Sequence, residues 1–114
     1  MEKDRHLYIL WTNDNPVTAE KMVFMYGGNS LRNGWWEEVT LIVWGATTEL
    51  VSKNAAIQKQ ILELMEGGVK VSACKACADQ LGVSDQLEAL GLEVKYWGKS
   101  LTALLQSDAR LLTI

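Results

Sequence analysis

Five short apolar runs rich in β-forming residues recur along the chain: His6–Trp11, Val39–Trp44, Val69–Ala73, Leu92–Trp97 and Arg110–Ile114. Segments of helical period separate them. Strands that alternate with helices build βαβ units, and these require a parallel sheet with crossovers of one hand. The runs are nearly continuous in apolar residues, the pattern of strands covered by helices on both faces. With 114 residues the chain can bury one core and not two. The predicted fold is a single α/β domain over residues 1–114, a three-layer α/β/α sandwich around a five-stranded parallel sheet.

Helix boundaries follow from local chemistry. Asn15-Pro16 reads as an N-cap followed by proline at the first helical position, with the helix running to Tyr26 before Gly27-Gly28. Ile57, Ile61, Leu64 and Met65 repeat at i, i+4, i+7 and i+8, and Gly67-Gly68 stops that helix. Both glycine pairs read as C-caps. A short helix after the third strand ends at Gly82, another spans Ser84 to Leu90 before Gly91, and a fifth starts near Ser100 and covers Leu101–Gln106. Asn29, Asn33 and Gly34 favour turns between Gly27 and Trp36, where Leu31 can pack inward.

Composition excludes several functions. Apolar residues are 48% and charged residues 22% of the chain, with a net charge of −3. No basic surface predicts a nucleic-acid partner, and the scattered lysines do not suggest an anionic membrane. No apolar stretch approaches the ~20 residues of a membrane-spanning helix. The start, Met1 to His6, is polar, and the short apolar run after it gives way to Asn13-Asp14-Asn15. That is not the pattern of a secretion leader, and the expected location is the cytoplasm. No glycine-rich phosphate loop is encoded, so no cofactor is expected.

In a parallel sheet, ligands gather beyond the carboxyl ends of the strands. Here that rim carries Thr12 to Asn15, Gly45 to Thr48, Cys74 to Cys77 and Trp97 to Lys99. Trp11, Trp44 and Trp97 all fall at it, either as a pocket shielding a reactive group or as core plugging the sheet ends. Asn13, Asp14, Thr47 and Thr48 read as ligand contacts or as helix caps. Of Trp35-Trp36, one is expected outside the core. Ser72 and Ser100 have no partnered base, so serine catalysis has no support.

Cys74 and Cys77 are the only cysteines, in the order Cys-Lys-Ala-Cys at the junction of the third strand and the next helix. A thiol there meets unpaired backbone N–H groups and the positive end of a helix dipole, which favour thiolate, and Lys75 can add charge. Four readings compete. The thiols are buried hydrophobes; or they bind zinc, for which two thiols and His6 at the opposite pole fall short of four ligands within one chain. They exchange disulfides, although the only proline, Pro16, lies far upstream; or one thiol carries sulfur as a persulfide. No metal is expected.

The stretch Gly68-Val69-Lys70-Val71-Ser72-Ala73-Cys74-Lys75-Ala76-Cys77-Ala78, continuing to Leu81-Gly82-Val83, resembles the signature of the DsrE/DsrF-like family. The resemblance continues through Leu90 to Val94, Tyr96-Trp97-Gly98, Leu101-Thr102 and Leu111 to Ile114. Members include sulfur-relay subunits of tRNA thiolation and dissimilatory sulfur oxidation. The resemblance implies a five-stranded parallel α/β/α fold, a homotrimer or homohexamer, and donor and acceptor proteins as partners. It places the sulfur-carrying cysteine at Cys74. Cys77 falls where relay subunits often have alanine, although some small members carry both thiols. The implied function is a persulfide carrier with Cys74 and Cys77 at the site, and Asn13, Trp44, Gly45, Lys75 and Trp97 as pocket residues. The alternatives are a non-catalytic oligomeric binding module and a dithiol redox protein.

Overall fold

All five apolar runs contain strands in the computed structural model, which describes residues 5–114. The polar residues 1–4, part of the reading against a leader, lie outside them. The strands are β1 (His6–Trp11), β2 (Glu38–Val43), β3 (Lys70–Cys74), β4 (Glu93–Lys95) and β5 (Arg110–Thr113). They pair in parallel in the order β4-β3-β2-β1-β5. Six helices connect them: α1 (residues 16–32), α2 (Ala46–Lys53), α3 (Ala55–Glu66), α4 (Lys75–Leu81), α5 (Ser84–Ala89) and α6 (Gly98–Leu105).

The topology explains how the layers are filled. From β1 to β4 the chain steps one strand at a time in one direction, so crossovers of one hand stack α1 to α5 on one face. From β4 it jumps back across the sheet to β5, which puts α6 on the other face. The main core joins Leu7, Ile9, Trp11, Val39, Leu41, Val43, Val71 and Ala73 to Val23 of α1, Val51 of α2, Ile57 and Ile61 of α3, Ala78 of α4 and Leu87 of α5. On the second face Ile42, Cys74 and Trp97 form a smaller cluster with Tyr8, Leu10, Trp44, Cys77 and Leu104 of α6. The sandwich has three layers, one of them a single helix thick. Accordingly β1 alternates buried and half-buried residues, whereas β2, at the sheet centre, is buried from Val39 onward.

Two expectations are corrected. The first helix starts as predicted: Asn15 Oδ1 accepts hydrogen bonds from Val17 N at 2.8 Å and Thr18 N at 3.1 Å. It does not stop before Gly27-Gly28. It passes from an α turn (Pro16–Thr18) through π-helical turns (Ala19–Phe24) into a second α segment (Met25–Arg32), with both glycines inside. Gly28 serves close approach, whereas Gly27 has room for a side-chain carbon at ordinary contact distance. A Cβ on Gly27 would sit 3.7 Å from Leu41 and 3.8 Å from Ile9 and Val39, and one on Gly28 would come within 2.9 Å of Leu64. Gly67-Gly68, by contrast, does end α3.

The second correction is α2, a helix where only a rim loop was expected. Its Thr47, Thr48, Val51 and Ser52 are buried, and Ser52 O accepts the amide of Gln86 from α5. Thr47 and Thr48 therefore pack inside rather than cap a helix or face a ligand. Thr47 Oγ1 donates to Asn13 O at 2.8 Å.

Among the described residues, no helix is long and apolar enough to cross a membrane.

Candidate functional site

The cysteine pair lies where β3 gives way to α4, beside the point where β2 gives way to α2. Cys74 closes β3 and is the N-cap residue of α4, with extended backbone and no side-chain cap bond. β3 alternates, so Val71 and Ala73 enter the main core while Ser72 and Cys74 face the second side. There Cys74 is covered by Ile42 and Trp97 and is only 2% exposed.

Cys77, one turn into α4, belongs to the same cluster but is half-buried. Cys74 is thus covered, while Cys77 reaches the surface. Burial pushes the Cys77 thiol up; the backbone N–H of Gly45 opposes that, and the Cys74 thiol beside it adds to the rise.

Gly45 brings that N–H into place. It links β2 to α2 at φ 65° and ψ −134°, a backbone conformation closed to L-residues with a side chain. It is also the N-cap of α2, a helix without a side-chain cap. Cys77 thus meets the α2 amino end as well as its own helix.

The other predicted pocket residues divide. Trp44 packs half-buried into the cysteine cluster. Trp97 packs there too, at 5% exposure, and its Nε1–H donates to Ser72 Oγ at 2.7 Å. Ser72 in turn donates to Glu93 Oε1 at 2.8 Å, and Lys95 Nζ lies 4.3 Å from the Trp97 ring centroid. Trp97 is therefore clamped by Ser72 and Lys95, with Glu93 holding Ser72. Ser72 and Glu93 were not picked out as site residues. The signal was their alternation with Cys74 and Lys95, which puts all four on one face of neighbouring strands.

Lys75 and Asn13 are not brought to the thiols. Lys75 Nζ pairs with Asp79 at 3.0 and 3.1 Å and lies 5.6 Å from the Tyr96 ring centroid, so its charge is neutralised on α4's outer side. Asn13 Oδ1 accepts from Asn15 N at 3.1 Å and holds the turn after β1. Trp11, expected on the same rim, sits on the main-core face and packs edge-on against Phe24 at 5.4 Å. Trp35 is the exposed member of its pair at 57%, while Trp36 is half-buried with Nε1 bonded to Tyr26 Oη at 3.1 Å.

Toward the amino ends of the strands, α6 does not cover the second face. A groove of about 440 Å³ opens there, lined by His6, Tyr8, Thr40, Lys70, Glu93 and Trp97 among others. His6 stacks on Tyr8 at 4.0 Å and its Nε2 lies 2.7 Å from Thr40 Oγ1. Burial lowers its pKa more than the nearby Glu38 raises it. His6 starts β1 and Cys74 ends β3, so they occupy opposite poles of the parallel sheet.

The chain superposes on a conserved protein of unknown function from Bacteroides thetaiotaomicron with a TM-score of 0.94 and 38% identity, covering 96% of this chain and 95% of that one. It also superposes on the ychN protein of E. coli with a TM-score of 0.70 and 15% identity, over 98% and 100% of the two chains. At that identity the second likeness shows a shared fold. No curated protein matches the chain. The DsrE/DsrF-like family profile matches residues 12–114, every described element except β1. The chain belongs to the DsrE/DsrF-like family.

Proposed function

We propose that this protein carries sulfane sulfur as a persulfide on its cysteine pair, taking it from a donor persulfide and handing it to a partner protein. The observation that carries the reading is two thiols in one aromatic-lined cluster at a strand–helix junction. A cysteine thiolate attacks the outer sulfur of the donor, the donor S–S bond breaks, and the donor leaves as a thiol after taking a proton. No oxidant is consumed. The anionic persulfide end is stabilised by N–H donors and shielded from water by Trp44 and Trp97. Family resemblance assigns the carried sulfur to Cys74. The reading includes a reducing cytoplasm, donor and acceptor proteins, and a homotrimer or homohexamer, which light scattering would distinguish.

The test is intact mass after incubation with glutathione persulfide. Wild type should gain ~32 Da, one sulfur atom, and a Cys74→Ser/Cys77→Ser double variant should not. A wild type that gains nothing rejects carriage. The burial of Cys74 favours a second reading, a non-catalytic oligomeric binding module in which both thiols resist alkylation under native conditions. The contact between the thiols fits a third, a dithiol redox protein, which Cys77→Ala would abolish.

A further inference from the structure

Persulfide transfer between proteins requires the accepting sulfur to be reached by the donor's outer sulfur, with the two aligned for displacement. Cys74 does not meet that requirement. It is 2% exposed, under Trp97 on one side and Ile42 on the other, and the Trp97 indole is held in place by Ser72. Cys77 does meet it. It packs against the same cluster as Cys74, one turn away on α4, and is half-buried rather than covered.

We infer that Cys77 is the first acceptor of sulfur and that Cys74 is the inner site to which the sulfur passes. This deepens the carrier reading and rests on it.

Two balanced steps describe the path. The Cys77 thiolate attacks the outer sulfur of the donor persulfide; the donor S–S bond breaks, the donor departs as a thiol, and Cys77 holds the sulfur as a persulfide. Cys74 then attacks the outer sulfur on Cys77, its proton passing to the departing Cys77 sulfur. A bond forms from Cys74 to that sulfur, its bond to Cys77 breaks, and Cys77 regains a proton. Both steps are redox-neutral. The second moves the sulfur from a half-open position to one closed by an indole, where water and adventitious thiols do not reach it. The chain needs two cysteines on this account because one position is accessible and the other protected.

Trypsin makes the assignment readable. Cleavage after Lys70, Lys75 and Lys95 places Cys74 in Val71–Lys75 and Cys77 in Ala76–Lys95. Full-length protein is mixed with glutathione persulfide, quenched with iodoacetamide over a time course, and digested. In wild type the extra sulfur should appear first on the Cys77 peptide and later on the Cys74 peptide. Cys74→Ser should keep its adduct on Cys77 at the wild-type initial rate. Cys77→Ser should load Cys74 about tenfold more slowly or not at all.

Direct loading of Cys74 in Cys77→Ser at the wild-type rate would overturn the inference and leave carriage standing. Wild type without any adduct would overturn both. Native alkylation of wild type needs no variant and guards against misfolding: iodoacetamide should label the Cys77 peptide before the Cys74 peptide, and the reverse order refutes the proposal.

Discussion

Replacing Gly45 by alanine isolates a backbone effect next to the thiols. A Cβ at Gly45 would meet nothing nearer than Thr12 O at 3.7 Å, so packing hardly changes. The conformation does. Gly82 has φ 71° and ψ 29°, inside the left-handed helical well, whereas Gly45 pairs φ 65° with ψ −134°, outside it. An L-residue in the left-handed well costs roughly 1–2 kcal/mol, and one held in a rarer region up to about 3 kcal/mol. The expectation is a loss of about 2–3 kcal/mol for Gly45→Ala and about 1 kcal/mol for Gly82→Ala. In a domain of this size each kcal/mol lowers Tm by roughly 4 °C, so the two should melt about 10 °C and about 4 °C below wild type. Asparagine sharpens the comparison, because it tolerates the left-handed well and no other positive-φ region. Gly82→Asn should regain most of the loss, and Gly45→Asn none. Urea unfolding with unchanged m, alongside thermal melts, supplies the measurement. If the peptide rotates to relieve strain in Gly45→Ala, the N–H leaves Cys77 and the alkylation pH profile of that thiol moves further up. Equal stability of Gly45→Ala and wild type, or equal behaviour of the two asparagine variants, would refute the reasoning.

Other perturbations follow from the same coordinates. Gly27→Ala places a Cβ at ordinary contact distance inside a helix, so it should stabilise the fold by roughly 0.5–1 kcal/mol in urea titration; a loss would mean that α1 sits closer to the sheet than described. Cys77 alkylation should keep rising tenfold per pH unit above the ordinary thiol range of about 8.5, and Cys74→Ala, which removes the neighbouring thiol, should shift that profile down. A profile that levels near 8.5 in wild type argues against a buried Cys77. Ser72→Ala leaves the indole N–H of Trp97 without its partner in a buried site and should lose roughly 1–3 kcal/mol, read by denaturant unfolding, while Trp97→Phe with Ser72→Ala together should lose less than the sum of the two. For His6 the folded pKa is lowered, so the stability it contributes is present above the unfolded value of about 6.5 and is lost as pH falls through the folded pKa. His6→Gln should flatten the Tm dependence in that window.

The sheet was legible because each strand falls within a mostly apolar run, and the family because the β3–α4 signature is local in sequence. What escaped depends on tertiary contact. Gly27-Gly28 resembles a helix stop, and only the nearness of Leu64 reveals that Gly28 serves close packing inside a continuing helix. Thr47, Thr48 and Ser52 make α2 look like a loop; they are tolerated because the helix buries them against the turn after β1 and against α5. The cysteines fall at the strand–helix junction as expected, and their relative exposure was not legible in the sequence. Helical spacing says that residues 74 and 77 share a side, while the cover over Cys74 comes from Trp97, which follows β4 and is distant in sequence. Lys75 looked like a charge for the thiols, and Asp79 one turn on takes it.

The order of strands also determines the order in which the molecule can be completed. β1 sits between β2 and β5, and its last edge is closed by bonds such as Thr12 to Ile114, 102 residues apart. As the chain is synthesised, β1 to β4 and the five helices of the main core are in hand while β1 still has an unpaired edge. α6, the one helix over the second face, emerges in the same late interval. Until then Tyr8, Leu10 and Ile42 face water, and so does the sulfur of Cys74 on the side that Leu104 later covers. A growing chain therefore passes through a stage in which the inner thiol is open to oxidants and the unpaired edge of β1 can accept a foreign strand. The protected position is the last to become protected.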